Sequence, residues 1–314
     1  MKCPVCGSEK SFTALFPEFC DVDNYLCMEC GLVFIPREEK EVHDYYSQDG
    51  YFEKSPNLSL RKFFVNQRQL YQKGKRSLRN LESRLGAELH GKRVLDIGCG
   101  YGELVGALAQ ERGALAEGLE ASPQAAGAGE KMFNIRIHVG LLENFKSEVP
   151  YDVITCHHTL EHIANPYAFM ENVKRLLIPG GKLYFEVPNI LWPSGGFSLR
   201  QFLYAEHVQN FSASNLSMFF CNCGLSVEAY DDRRFLKFWL ASGGKDGVKV
   251  PPVTPETVIG FLRDYRKHYG VFNTLGVYAD KGLYLIKLVL YSLLPPRRFK
   301  KPVETGEKNK ASGR

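Results

Sequence analysis

Four cysteines near the start of the chain come as two knuckles, Cys3-Pro4-Val5-Cys6-Gly7 and Cys27-Met28-Glu29-Cys30-Gly31, with twenty residues between them. Two such pairs deliver four thiolates to one tetrahedron, which suits zinc, a d10 ion with no geometric demand of its own. Four sulfur ligands leave no open position for a substrate. The role predicted for Cys3, Cys6, Cys27 and Cys30 is therefore structural, a ribbon in which metal replaces a core that about forty residues cannot build. Cys20, between the pairs, reads as a spare buried thiol.

A second constellation is Val94-Leu95-Asp96-Ile97-Gly98-Cys99-Gly100-Tyr101-Gly102-Glu103. Glycine at alternate positions leaves no Cβ to hold a ligand off the main chain and permits the φ angles of a tight strand-to-helix crossing. Dinucleotide and phosphate loops share that spacing. The Asp96 carboxylate decides between ligands, because it repels a pyrophosphate and favours an ammonium group. Glu120 falls twenty residues past Gly100, where nucleotide-binding sheets place an acid to accept ribose hydroxyls. Further on, His158, Glu161 and His162 have the spacing that collects side chains on one helix face.

The elements that must position these groups alternate. Ala114 to Glu120, Ile135 to Val139, Tyr151 to Cys156 and Lys182 to Val187 read as strands after the one at Val94. Helices start at Glu103 and at Ser122-Pro123, and Pro179-Gly180-Gly181 ends another. Ser212 caps a helix through Phe220, and Leu225 to Tyr230 with Arg234 to Leu240 form an antiparallel hairpin. Leu60 to Leu85 has helical apolar spacing. The pattern predicts an α/β, doubly wound sheet. The boundaries expected are a zinc ribbon at 1–40, a connector and helical segment at 41–90, a core at 91–242, and C-terminal helices with a basic tail at 243–314.

Asp96, Gly98, Gly100 and Gly102 resemble motif I of the class I S-adenosylmethionine methyltransferases. That resemblance implies a seven-stranded Rossmann-like methyltransferase sheet, here behind a small N-terminal zinc ribbon. It also implies a cofactor site of Asp96, Gly98, Gly100, Gly102, Glu120 and Ala121, with Glu143 or a main-chain amide near the adenine and His157 beside it. Leu141 stands where many of these enzymes carry an acid. Leu160-Glu161-His162-Ile163 resembles their motif after strand four. In the ubiquinone-pathway O-methyltransferases the matching trio binds a divalent ion, with Glu where this chain has His158; here the three read either as ligands of a second metal or as a helix cap and pocket lining. Together with the knuckles, Tyr204-Ala205-Glu206-His207 resembles the nucleotide-sugar C-methyltransferases of deoxysugar pathways over residues 1–240. This implies His207 as general base, Glu206 orienting it, Tyr204 bonding a substrate oxygen, and a nucleotide-linked or glycan sugar as acceptor. Beyond 240 the chain departs from that family.

Formal net charge is +5 over 314 residues, and the last eighteen residues carry all of it. The remainder is neutral, unlike a nucleic-acid binder. Segment 61–93, with ten basic residues against Glu82 and Glu88, keeps an rRNA methyltransferase as the alternative, gripping RNA through ribbon and helix. A non-catalytic cofactor-binding interaction protein is the third reading. Polar residues directly after Met1 predict a cytoplasmic protein. The apolar run 283–294 and the basic residues to 301 suggest peripheral contact with an anionic membrane.

Overall fold

The computed structural model describes residues 1–15, 22–38, 41, 66–86, 88–192, 203, 206–233, 235–243 and 247–268. Strands β1 (Phe12–Leu15), β2 (Asn24–Cys27) and β3 (Val33–Phe34) form the ribbon. There follow α1 (Gln67–Leu85), β4 (Arg93–Ile97), α2 (Glu103–Arg112), β5 (Leu115–Glu120), α3 (Pro123–Phe133), β6 (Arg136–Val139), β7 (Tyr151–His157), α4 (Pro166–Leu176) and β8 (Leu177–Pro188). The order ends with β9 (Gln209–Asn210), α5 (Ala213–Asn222), β10 (Leu225–Asp231), β11 (Phe235–Ser242) and α6 (Pro255–His268).

Seven strands build the main sheet in the order β10-β11-β8-β7-β4-β5-β6. Pairings from β8 through β7, β4 and β5 to β6 are parallel, and β11 runs antiparallel to both β8 and β10. This is the doubly wound α/β architecture with a terminal antiparallel hairpin. Local chemistry fixes the element ends. Ser122 Oγ accepts the Ala125 amide at 3.3 Å and Pro123 occupies the first turn of α3, while Ser212 and Asn215 form a reciprocal capping box on α5. Gly113 closes α2 in the left-handed conformation.

Helix α1 buries Tyr71, Leu78, Leu81 and Leu85, each contributing about 1.5–3 kcal/mol of transfer free energy. Gly74 lies between them because a Cβ there would stand 1.9 Å from the Glu103 carbonyl oxygen, so α1 crosses directly over the start of α2. The Trp239 indole on β11 donates to the Leu81 carbonyl at 2.7 Å.

Two expectations need correction. The fifth parallel strand starts at Leu177, not Lys182, because Pro179-Gly180-Gly181 bulges within the strand: the register with β7 passes from Tyr151↔Leu177 to Val153↔Lys182. His158, Glu161 and His162 do not share a helix face. His158 has φ +50° and precedes a single 3₁₀ turn, Leu160–His162.

The ribbon is no separate bead. Strand β3 pairs with β9, Val33 opposite Asn210 and Phe34 opposite Gln209, and the Ile35 amide donates to the Val208 carbonyl at 2.9 Å. Cys3, Cys27, Leu32 and Phe34 share one apolar cluster with Leu95, Ile154, Phe185 and Phe219 of the main core. On the ribbon's other side Leu15, Leu26 and Val33 pack with Val258 and Leu262 of α6. Cys20, Tyr204, Arg234, the first residues of the helix expected at Leu60, and the run 283–301 lie outside the described residues. Among the described residues no helix is long and apolar enough to cross a membrane.

Candidate active site

The parallel strands β4, β5, β7 and β8 deliver their last residues to one edge of the sheet, the edge where open α/β sheets bind ligands. At one end of this edge lies the glycine loop. The Gly98 and Cys99 amides donate to the Leu119 carbonyl at 2.8 and 3.2 Å, and the Gly102 amide to Cys99 at 2.9 Å. Gly98, Gly100 and Gly102 all have positive φ, between 57° and 68°. A Cβ at Gly98 would stand 2.1 Å from Thr159 Oγ1, and at Gly102 2.5 Å from Ile135 Cδ1. At Gly100 it would meet nothing within 4 Å. Two glycines are thus required by packing, and the third opens main chain to a ligand.

Carboxylates surround this loop. Asp96 is buried and accepts the Thr155 hydroxyl at 2.7 Å; burial pushes its carboxyl up to about 7, against the pull of that hydrogen bond. Glu120 is buried enough to raise its pKa, yet it accepts the Gly100 amide at 2.8 Å through one oxygen and the Ser122 amide at 2.9 Å through the other. Ala121 follows Glu120 directly. Glu103, buried at the first turn of α2, pairs with Lys73 of α1. The sequence singles out none of Glu103, Lys73, Thr155 and Thr159 as site residues: Glu103 and Thr159 adjoin the two motifs, whereas Lys73 on α1 and Thr155 on β7 are joined to the loop only by the fold. The residues fit a cationic, amino-acid-like ligand end: buried carboxylates on one side, open main chain on the other.

Glu143 is exposed on the 3₁₀ turn Leu142–Asn144 after β6. His157 ends β7 with its ring 5.0 Å from Tyr184, and burial lowers its pKa to about 4.

The other end of the edge is assembled from distant segments. His158 stands between two acids, Nδ1 3.4 Å from Glu161 and Nε2 3.4 Å from Glu186. Burial opposes its charge, but the two carboxylates raise it to about 9. Glu186 in turn accepts the Tyr184 hydroxyl at 2.8 Å. His162 Nδ1 lies 2.7 Å from the Glu206 main-chain carbonyl, and the His162 and His207 rings are 5.0 Å apart. Burial, with His162 adding to it, lowers His207 to about 3. Gln209 donates to the Ile163 carbonyl, so the segment carrying Glu206 and His207 is gripped by the 160–163 turn on one side and by β3 on the other. Donor atoms of Glu161, His162 and His207 lie within 4.8 Å of one another.

In the ribbon, Cys3, Cys6, Cys27 and Cys30 converge as their spacing predicts. Sulfur separations of 3.7 Å (Cys3–Cys30) and 3.6 Å (Cys6–Cys27) are far too long for a disulfide. They match the edge of about 3.8 Å that a tetrahedron with zinc–sulfur bonds of about 2.3 Å requires. Gly7 and Gly31 turn at φ +72° and +71°, returning their amides to the Cys3 and Cys27 carbonyls at 3.0 and 2.9 Å.

Known proteins resemble parts of this chain. The ubiquinone biosynthesis O-methyltransferase of Coxiella burnetii (strain Dugway 5J108-111) is 36% identical over 107 residues, covering 32% of this chain and 45% of that protein. The enzyme of the same description from Sodalis glossinidius (strain morsitans) is 38% identical over 108 residues, covering 32% and 43%. The chain thus spans under half the length of these curated relatives. Among solved structures, magnesium protoporphyrin IX methyltransferase from Synechocystis PCC 6803 aligns with 66% of this chain and all of that one, at 16% identity and a TM-score of 0.46. A family model described as a methyltransferase domain matches residues 67–230, just over half of the chain, from the start of α1 almost to the end of β10. With that match, the chain belongs to the methyltransferase-domain family.

Proposed function

We propose that the protein transfers a methyl group from S-adenosylmethionine to a small molecule, most simply a nucleotide-linked or glycan sugar. The observation that carries the reading is the pairing of a buried Asp96 carboxylate with open main chain at Gly100, a cradle for an ammonium-bearing ligand. Asp96, Gly98, Gly100, Gly102, Glu120 and Ala121 would hold the cofactor's amino-acid and ribose parts, with Glu143 and His157 toward the adenine. S-adenosylmethionine supplies an activated methyl carbon on a sulfonium. The protein's own task is to align an acceptor, exclude water and deal with the acceptor's proton.

His207 is the proposed acceptor-side residue, with Glu206 beside it and Tyr204 bonding a substrate oxygen. A histidine near pKa 3 is a neutral imidazole at neutral pH and a weak base, so the acceptor it meets must be acidic or made so. The sugar acceptor rests on the likeness of Tyr204-Ala205-Glu206-His207 and the cysteine knuckles to sugar-nucleotide enzymes. Zinc is the proposed occupant of the cysteine cluster. The neutral body of the chain and the engagement of Lys73 and Lys75 by acids of α2 disfavour the RNA alternative.

The test is mass spectrometry of cell extract incubated with the enzyme and isotope-labelled S-adenosylmethionine. A labelled sugar nucleotide is expected. A labelled RNA nucleoside would replace the substrate assignment, and no labelled product together with no calorimetric cofactor binding would overturn the whole reading.

A further inference from the structure

We infer that His158 is a second catalytic residue of the acceptor end, an imidazolium whose Nε2–H binds the acceptor's reacting oxygen and stabilises the negative charge that develops there. For its role the inference rests on the methyl-transfer reading; for its charge it rests on the ring's surroundings. Glu161 and Glu186 approach the ring from two sides at 3.4 Å each, and their side chains are 1% and 9% exposed against 38% for His158. Two buried carboxylates turned toward one another are tolerated only with a cation between them. His158 is that cation, and of the three it is the one a ligand can reach.

A purely structural imidazolium would close on one acid. Charge-assisted N–H···O bonds are about 2.7–2.9 Å long, and neither contact is that short. Both oxygens of Glu161 are without a hydrogen bond, whereas Glu186 already receives the Tyr184 hydroxyl at 2.8 Å. The ring therefore gains most by leaning onto Glu161, which frees Nε2–H for a ligand oxygen. An acceptor with a hydroxyl beside the reacting oxygen returns a donor to Glu186, so the substrate class that fits is a polyol or sugar ring. The backbone points the same way. His158 has φ +50°, a conformation that side chains avoid and that collects at functional sites. Its amide, donating to the Glu186 carbonyl at 2.7 Å, and the Phe235 ring, edge-on at 4.8 Å, hold it there.

His158 also supplies what His207 lacks. His207 is a weak base, and the two rings flank one carboxylate: Glu161 lies 3.4 Å from His158 Nδ1 and within 4.8 Å of a His207 nitrogen. A proton leaves the acceptor for so weak a base only if the charge left behind is stabilised. In the step that follows, the acceptor's proton passes to His207, and the electron pair it leaves forms the bond to the methyl carbon. The carbon–sulfur pair stays on sulfur, giving a neutral thioether. His158 keeps its proton throughout.

The test has two parts, both on the full chain. Nitrogen NMR of histidine-labelled protein without methyl donor, with His158→Asn identifying the signal, should show both His158 nitrogens protonated at about pH 8, where an ordinary histidine is neutral. A neutral ring would overturn the inference whether or not methyl transfer occurs. The second part follows transfer from isotope-labelled S-adenosylmethionine to the acceptor in cell extract. His158→Asn, which still accepts a positive φ, should be about 10²–10³ slower, with calorimetric cofactor affinity within about twofold. Its deficit should shrink as pH rises, because the acceptor then ionises unaided. His158→Gly should show the same loss and recover with added imidazole; should the asparagine variant not fold, this one decides. A retained rate, or a deficit that neither pH nor imidazole relieves, would overturn the inference. No product from the wild type would remove the role together with the methyl-transfer reading, and the NMR result separates the two failures.

Discussion

The two ends of the sheet edge are made in opposite ways. The proposed donor end is largely contiguous: Asp96 to Glu103 form strand end, loop and helix start, and Glu120 and Thr155 join it through hydrogen bonds. The proposed acceptor end has no contiguous core. Its groups come from the β7 end, the turn at 160–163, β8 and the segment before β9, and main-chain contacts hold them: His162 to the Glu206 carbonyl, Gln209 to the Ile163 carbonyl, and β3 to β9. A ligand bound by every member of a family can be served by a local motif. A ligand that varies is better served by groups whose spacing depends on how separate segments dock.

Three perturbations would break or sharpen this contrast. The largest effect is expected at the ribbon. Cys30→Ser should unfold the whole chain rather than the ribbon alone, since the ribbon shares the main core and a structural zinc contributes about 10 kcal/mol or more, comparable with the stability of a domain. Calorimetric melting decides it, and a core that melts unchanged would make the ribbon dispensable to the acceptor end. Next, His207→Ala should lower kcat by about 10²–10⁴ and leave cofactor affinity within about twofold, read from steady-state kinetics and titration calorimetry. An equal fall in both would mean that the two ends are not separate.

The smallest effect is at the donor end. Asp96→Asn should weaken cofactor binding by about 10- to 100-fold, the worth of a charge-assisted hydrogen bond. With the Asp96 carboxyl at about 7 in the free protein, lowering the pH through that value protonates it and removes the charge an ammonium group prefers. Wild-type affinity should therefore fall toward acid, by at most about tenfold per pH unit, whereas Asp96→Asn should lack this component. Calorimetry from pH 8 to pH 6 tests it.

What was legible in the sequence follows the same division. The glycine loop, Glu120 and the cysteine knuckles could be read because their chemistry lies within a few residues or at fixed spacing. So could the order of strands and helices, which alternation dictates. The early start of β8 was hidden by Pro179-Gly180-Gly181, which punctuates a strand as readily as it ends a helix. The Glu161–His162–His207 grouping was not legible, because a backbone carbonyl joins its parts and a carbonyl leaves no mark in residue type. Gly74 was likewise silent: only the crossing of α1 over Glu103 shows why nothing larger fits.

Strand β3 leaves the ribosome long before β9, its partner, which is made only after five of the main sheet's seven strands. Until then the outer edge of β3 has unpaired amides and carbonyls of the kind that recruit foreign strands. The cysteine ribbon therefore waits, unfinished, while β4 to β8 are made, and its last edge closes only when β9 returns to it.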